Sequence, residues 1–367
     1  MIYFDNASTT KISEQSLASY IEASELFFNP SSLYNQSVIV KSKIETARSS
    51  ILKFLKGKAG STLIFTGSAT EANNTVLNCS ITRKDKKYII SAGEHSSIYT
   101  TAKKYMEAGY NIEFAPLNKN GSVNIDALKN MIDKDTAFIS IIHVSNETGA
   151  INDIKEICTY AKKINPNIIV HSDGVQALGK INVDLKNLGV DYYTISAHKI
   201  HGPKGIGALY IANKNKFKPF IYGGEQEMGL RAGTENTPNI LAMKTAIDNL
   251  SIVDYHERKQ AIIDNLTGDY ILVSNDSCVD NIISVCFKGV RGETIEHMLE
   301  QDGYLIGTGS ACNSKAGYNR VLSEIVPKEY LGGAIRISFG DEVSVADCKN
   351  LAISLSNAVK QYNKRIN

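Results

Sequence analysis

No apolar run in the chain approaches the roughly 18–20 residues a membrane-spanning helix needs. Neither sign of charge dominates. The 40 lysine and arginine residues against 38 aspartate and glutamate residues leave a formal net charge of +2. Such a balance gives no polyelectrolyte signature and does not point to nucleic acid as a main ligand. The opening Met1-Ile2-Tyr3-Phe4-Asp5-Asn6 has neither a basic n-region nor an apolar h-region. It lacks the pattern of a secretory signal, and cytoplasm is the expected compartment. Cys79, Cys158, Cys278, Cys286, Cys312 and Cys348 are scattered, with no CxxC pair. This argues against a zinc knuckle or a thioredoxin-like redox pair, and free thiols are expected in a reducing compartment. There is no internal repeat, no low-complexity linker, no glycine-rich dinucleotide fingerprint, no HExxH and no Walker A motif.

What is present has ordinary globular texture, with 43% hydrophobic and 21% charged residues over 367 positions. Short runs rich in β-branched and aromatic residues read as buried strands. They are Thr62–Thr66, Tyr88–Ser91, Ala137–Ile142, Asn167–His171 and Tyr192–Ser196. Amphipathic stretches lie between them, such as Ser97–Ala108 and Ile154–Ile164. Strand–helix–strand alternation predicts an α/β fold with a mostly parallel sheet and helices on both faces. After about Tyr255 the texture changes: a helix over His256–Leu266, strands over Tyr270–Val273 and Ile282–Phe287, another helix, and a strand over Ala334–Phe339. The expected organisation is a large domain over residues 13–255. A smaller α+β domain takes residues 256–367, with residues 1–12 joined to it or packed beside it.

Ligands of parallel α/β sheets bind beyond the carboxyl ends of the strands. The first run leads into Gly67-Ser68-Ala69-Thr70-Glu71-Ala72-Asn73-Asn74. Free backbone N–H groups and a hydroxyl there suit a phosphate; a helix cap by Thr70 is the plainer alternative. The next run ends in Ala92-Gly93-Glu94-His95, and a loop histidine is more often an ordinary surface residue. The run ending at Val170 leads to Asp173 and Gln176; this carboxylate either caps a helix or holds a protonated ring nitrogen. The run ending at Ile195 gives Ser196-Ala197-His198-Lys199, followed by the turn Gly202-Pro203-Lys204-Gly205. A lysine at the inner end of a buried strand is unusual. Desolvation and neighbouring cations lower an amine's proton affinity, as Schiff-base chemistry requires. Together these are the parts pyridoxal 5'-phosphate needs: a phosphate cradle, a carboxylate, an imidazole to stack on the ring, and a lysine for the aldehyde.

Further segments sharpen this. They are Tyr3-Phe4-Asp5-Asn6-Ala7-Ser8-Thr9-Thr10, Asn29-Pro30-Ser31-Ser32, His143-Val144-Ser145-Asn146-Glu147-Thr148-Gly149, Arg231-Ala232-Gly233-Thr234-Glu235-Asn236 and Gly309-Ser310-Ala311-Cys312. On these and the lysine segment the chain resembles the fold-type I pyridoxal enzymes of the class V aminotransferase group, specifically the cysteine desulfurases of the nitrogen-fixation and iron–sulfur-assembly type. The resemblance spans nearly the whole chain and implies a PLP-dependent transferase-like fold. It implies that Lys199 carries the cofactor, Asp173 pairs with the pyridinium, Gln176 meets the ring hydroxyl, and His95 stacks on the ring and shuttles protons. It assigns the phosphate to Ala69, Thr70, Ser196 and His198. Thr234 is expected to reach the phosphate of a neighbouring subunit, hence a homodimer with composite sites. Asn146 and Arg336, helped by Asn29, are expected to bind the substrate carboxylate. A buried arginine suits bidentate carboxylate recognition, with a structural ion pair as the alternative.

Of the six cysteines only Cys312 sits in a small-residue loop, residues 307–317; Cys158 falls on an amphipathic helix and Cys286 in an apolar strand. Lys315 and Arg320 nearby favour a thiolate. The resemblance implies that Cys312 takes sulfur from L-cysteine as a persulfide, leaving alanine, and passes it to an acceptor such as an iron–sulfur scaffold or thiolation protein. The chain departs from the family in Gly67-Ser68, where Ser-Gly is usual, and in Asn313, where a small hydroxyl residue is common. It is also short between Cys312 and Arg336. A selenocysteine lyase or small-amino-acid aminotransferase keeps the cofactor and changes the reaction; a non-catalytic scaffold of a sulfur-transfer complex is the alternative from another class. No metal, membrane or direct nucleic-acid contact is expected.

Overall fold

The computed structural model describes residues 1–308 and 319–366, with side chains described up to Lys364. Strand β1 (Ile2–Phe4) stands apart from the main sheet, which is built from β2 (Thr62–Thr66), β3 (Lys87–Ser91), β4 (Asn111–Ala115), β5 (Thr136–Ser140), β6 (Ile169–Asp173), β7 (Tyr192–Ser196) and β8 (Gly207–Ile211). Its order is β2-β8-β7-β6-β5-β3-β4. All neighbours are parallel except β8, which runs antiparallel to both β2 and β7. Side chains alternate between faces with period two. Leu63, Phe65, Ile89, Tyr193 and Ile195 therefore enter one apolar cluster. Ile64, Tyr88, Ile90, Tyr192 and Leu209 enter another. Burial on both faces explains why these strands read as continuous apolar runs.

The second half of the chain supplies β9 (Tyr270–Leu272), β10 (Ile282–Phe287), β11 (Tyr304–Ile306) and β12 (Gly333–Ser338). Strands β12-β10-β9 form an antiparallel sheet, and β1 pairs in parallel with β11. Phe4 packs in the core shared by these strands and the C-terminal helix Val345–Ile366. Ala7, three residues on, belongs to the large-sheet core. The N-terminal segment thus passes from one core to the other across the site described below. No helix among the described residues is long and apolar enough to cross a membrane.

Most expected strands and helices form, with ends shifted by a residue or two. The helix Ile154–Ile164 forms over the whole expected range. Strands β4 and β8 were not foreseen. The expected Thr70 cap is replaced by Ser68, whose hydroxyl accepts from Glu71 N at 3.1 Å.

One buried ion pair ties the helix Asn35–Phe54 to the turn Gln226–Gly229. Arg48 and Glu227 are 5% and 4% exposed. Arg48 donates to Glu227 Oε2 at 2.6 Å and to the Leu63 carbonyl at 2.5 Å. Glu227 also accepts from Phe65 N at 2.9 Å. Glu227 and Met228 have φ of 48° and 61°, a left-handed turn that side chains resist. Removing one partner of such a pair strands a buried charge at a cost of about 3–5 kcal/mol. Arg48→Met is expected to lose that amount in urea unfolding; a loss below about 1 kcal/mol, an exposed pair's contribution, would contradict the assignment.

Candidate active site

The carboxyl ends of β2, β6 and β7, the loop after β3 and the N-terminal segment converge on one cavity of about 430 Å³, a volume suited to a small ligand. Ala69, Thr70, His95, Asn146, Asp173, Gln176, Ser196, His198, Lys199 and Arg336 all line it.

Lys199 closes a short 3₁₀ turn, Ala197–Lys199, directly after β7. Its Nζ donates to the carbonyls of Ala7 at 2.5 Å and Ser8 at 2.6 Å. Burial, reinforced by the Arg336 charge, brings its pKa down to about 8. The unprotonated, nucleophilic amine is therefore accessible near neutrality. Burial and the cations Lys199 and Lys204 bring His198 down to about 4. Its Nδ1 lies 3.2 Å from Thr9 Oγ1.

Asp173 ends β6 and is 2% exposed. Its Oδ1 accepts from Val175 N at 3.0 Å and its Oδ2 from Asn73 Nδ2 at 2.8 Å. Gln176 is anchored by donating to the Ala7 carbonyl at 2.8 Å. His95 caps the helix Ser96–Glu107 through Nδ1. Its ring reaches the cavity, where surrounding protein lowers its proton affinity; Asp173 opposes the shift and Lys199 adds to it.

The residues fit pyridoxal phosphate on observations independent of motif. Gln176 Oε1 is a buried acceptor with no partner among the described residues, a place for a ring hydroxyl. Helix Ala69–Ser80 points its first amides at the cavity, as an anion site does. A Cβ at Gly207 would lie 2.8 Å from Ala69 N, so only glycine in β8 lets that turn close. Asp173 offers a carboxylate for a ring nitrogen, and Lys199 an amine of lowered basicity for an aldehyde.

Arg336, on β12, is 7% exposed. It forms the ion pair that the sequence left as its alternative: its Nη2 donates to Asp5 Oδ1 at 2.9 Å and Ser8 Oγ at 2.6 Å. Nη1 donates to the Asn146 carbonyl at 2.9 Å, while Nε is buried without a partner among the described residues. Asn146 donates its amide to Glu147 Oε1 at 2.7 Å. Two expected residues lie elsewhere. Asn29 is exposed and accepts from Ser31 N at 2.9 Å in a local turn. Thr234 is exposed and outside the lining of this chain's cavity. Cys312 lies outside the described residues.

Sequence reasoning assigned nothing to Asn73, Glu94 or Ser97, yet all three line the cavity. Asn73 stands four residues after Ala69, on the same helix face; that spacing was the available signal. Glu94 is fully buried, and neither carboxyl oxygen has a hydrogen-bond partner among the described residues. Burial and the Asp173 charge push its proton affinity well above the ordinary carboxylate value and favour its neutral form. Arg320 lines the mouth of the cavity, donates to the carbonyls of Ala92 and Glu94, and lies 3.7 Å from the Tyr99 ring centroid.

The profile of the aminotransferase class-V family matches residues 2–351. The chain is 35% identical to cysteine desulfurase IscS 1 of Archaeoglobus fulgidus, covering 86% of this chain and 85% of that protein. It is 35% identical to a NifS/IcsS protein homolog of Lactobacillus delbrueckii subsp. bulgaricus, covering 100% and 99%. A solved NifS-like protein superposes with a TM-score of 0.88 at 29% identity, covering 98% of this chain and 99% of that one. The chain belongs to the class V aminotransferase family, in the cysteine desulfurase group of pyridoxal-phosphate-dependent enzymes.

Proposed function

We propose that the chain converts L-cysteine to L-alanine while its sulfur moves to Cys312 as a persulfide, for delivery to an acceptor protein. The observation that carries this reading is the half-buried Lys199 amine, of lowered basicity, facing a cavity that also holds Asp173 and Gln176, whose Oε1 has no partner among the described residues. Pyridoxal phosphate bound there supplies an electron sink for charge developing at the substrate α-carbon. Asp173 holds the ring nitrogen, Gln176 the ring hydroxyl, and Ala69, Thr70, Ser196 and His198 the phosphate. Lys199 attaches the cofactor and afterwards moves the α-proton. His95 stacks and exchanges protons at the cavity. Thiol and L-cysteine give persulfide and L-alanine, so atoms and electrons balance without an added oxidant.

Cys312 is favoured by what surrounds the other thiols. Cys158, Cys286 and Cys348 are buried, and burial pushes each up to about 12, with Cys278 at about 11. Cys79 is raised as well. Thiols so protonated are poor nucleophiles. The defining test supplies L-cysteine plus a thiol reductant and measures products. Equal yields of alanine and sulfide support the reading; a keto acid in place of alanine overturns it in favour of transamination.

Asn146 and Arg336 receive the substrate carboxylate, with Arg336 Nε as the free donor. Asp5 and Ser8 fix the guanidinium, which lysine's point charge cannot imitate. Arg336→Lys is expected to raise KM for L-cysteine by roughly 10-fold or more, as loss of a charge-assisted hydrogen bond implies. An unchanged KM would leave Arg336 only its ion pair.

The working unit is a homodimer in which Thr234 reaches the phosphate site of the neighbouring subunit. Exposed Phe27, Leu33 and Tyr222, at 80%, 97% and 83%, support this reading, because such side chains are costly to leave in water. Light scattering at the chain's own mass would refute it. The compartment is the cytoplasm. The chain divides into a large domain over residues 13–255 and a small one formed by residues 1–12 and 256–367. The acceptor is an iron–sulfur scaffold or a thiolation protein.

A further inference from the structure

Four side chains from three segments form one hydrogen-bonded line beneath the cavity. Asp173 Oδ2 lies 2.8 Å from Asn73 Nδ2. The same nitrogen lies 2.9 Å from Ser97 Oγ. Ser97 Oγ lies 2.9 Å from His95 Nδ1, and Ser97 N donates to that Nδ1 at 3.2 Å. Asn73 is fully buried and Ser97 is 8% exposed.

The direction of each bond follows from donor chemistry. An ionised carboxylate only accepts, so the Asn73 amide nitrogen must face Asp173. Its second N–H then points at Ser97 Oγ, which accepts. The Ser97 hydroxyl proton is left to donate onward to His95 Nδ1. That nitrogen already faces the Ser97 backbone N–H, so two donors converge on it and leave no room for a proton. The neutral imidazole then carries its proton on Nε2.

We infer that Asn73 is a positioning residue that clamps the Asp173 carboxylate and, through Ser97, holds His95 as the Nε2–H tautomer. The line works on both sides of the cofactor at once. It aims the carboxylate assigned to the ring nitrogen, and it confines proton exchange by the stacked imidazole to Nε2. His95 cannot take up a proton at Nδ1 without losing its helix cap and turning the Ser97 hydroxyl away. The role in the reaction rests on the cofactor reading above; the tautomer does not.

Nitrogen-15 spectra of histidine-labelled holoenzyme, with His95 identified by its loss in His95→Gln, test the tautomer. The expected result is an unprotonated-type shift at Nδ1 and a protonated-type shift at Nε2. A protonated Nδ1 overturns the inference, whether or not the protein binds cofactor, so failure here is distinct from failure of the functional reading. Asn73→Leu keeps the branching at Cγ and removes both donors. It is expected to weaken pyridoxal phosphate binding to the apoprotein about 10-fold, the scale of lost second-layer support. Unchanged affinity refutes the clamp on Asp173. Ser97→Ala is expected to shift the His95 Nδ1 resonance and Ser97→Thr, which keeps the hydroxyl, to restore it; an Nδ1 resonance indifferent to both refutes the link through Ser97. If Asn73→Leu fails to fold, Asn73→Ala takes its place in the binding titration.

Discussion

Replacing Cys312 with alanine is expected to leave the cofactor's visible absorbance intact while sulfur release from L-cysteine falls by roughly 10³-fold or more, the scale of removing an essential nucleophile. The other five thiols cannot substitute. Burial raises the proton affinity of every one, and four of them stand near 11 or 12. Even at pH 8 a thiol of pKa about 12 is thiolate in only about one molecule in ten thousand. The measurement is single-turnover alanine formation together with trapping of protein-bound persulfide by alkylation. Full sulfur transfer in the Cys312→Ala protein would remove the persulfide step and return the selenocysteine-lyase reading. Retained absorbance matters equally, because it separates loss of the sulfur acceptor from collapse of the cofactor site.

Lys199→Ala is expected to abolish the absorbance band of covalently attached cofactor and to slow turnover by roughly 10²–10⁴-fold, the contribution of a positioned acid–base group. An unchanged band would refute the assignment. The wild-type lysine makes a second, quantitative prediction. Only the neutral amine attacks an aldehyde, and Lys199 is pulled from 10.5 to about 8. At pH 7.5 the neutral fraction becomes about one quarter, against about one in a thousand for an ordinary lysine, roughly a 200-fold gain. Cofactor uptake by the apoprotein should therefore rise with pH to a plateau above a midpoint near 8 and fall about tenfold per unit well below it. The direction follows from the sign of the shift: burial and the nearby Arg336 charge disfavour the protonated amine. Arg336→Met removes one of those causes and should move the midpoint upward. Uptake still climbing through pH 10 in the wild type would show an ordinary lysine.

The sheet was legible where strands are buried on both faces, because burial selects unbroken β-branched and aromatic runs. Strand β8 was missed because the loop carrying Lys199 returns the chain antiparallel, between two parallel neighbours. Its Gly207 is required by closeness to Ala69, a contact between residues far apart in sequence. The helix beginning at Ala69 was legible, but its cap was displaced from Thr70 to Ser68. Capping depends on which hydroxyl adopts extended backbone just before the first turn, and several small polar residues there compete for it.

The sequence by itself determined the chemical parts and their places: an imidazole, a carboxylate and a lysine at strand ends, and one cysteine among small residues. Their identity and their position after buried strands are local properties that a linear chain carries. Only the tertiary structure decided what state those groups are in. The depressed Lys199, the raised Glu94, the Asp5–Arg336 pair and the line from Asp173 through Asn73 and Ser97 to His95 each depend on neighbours from distant segments. Proton affinity and hydrogen-bond satisfaction are set by desolvation and by the charges and donors within a few ångströms. Those are fixed only when β1, β12 and the helix Ala69–Ser80 close around the ends of β6 and β7.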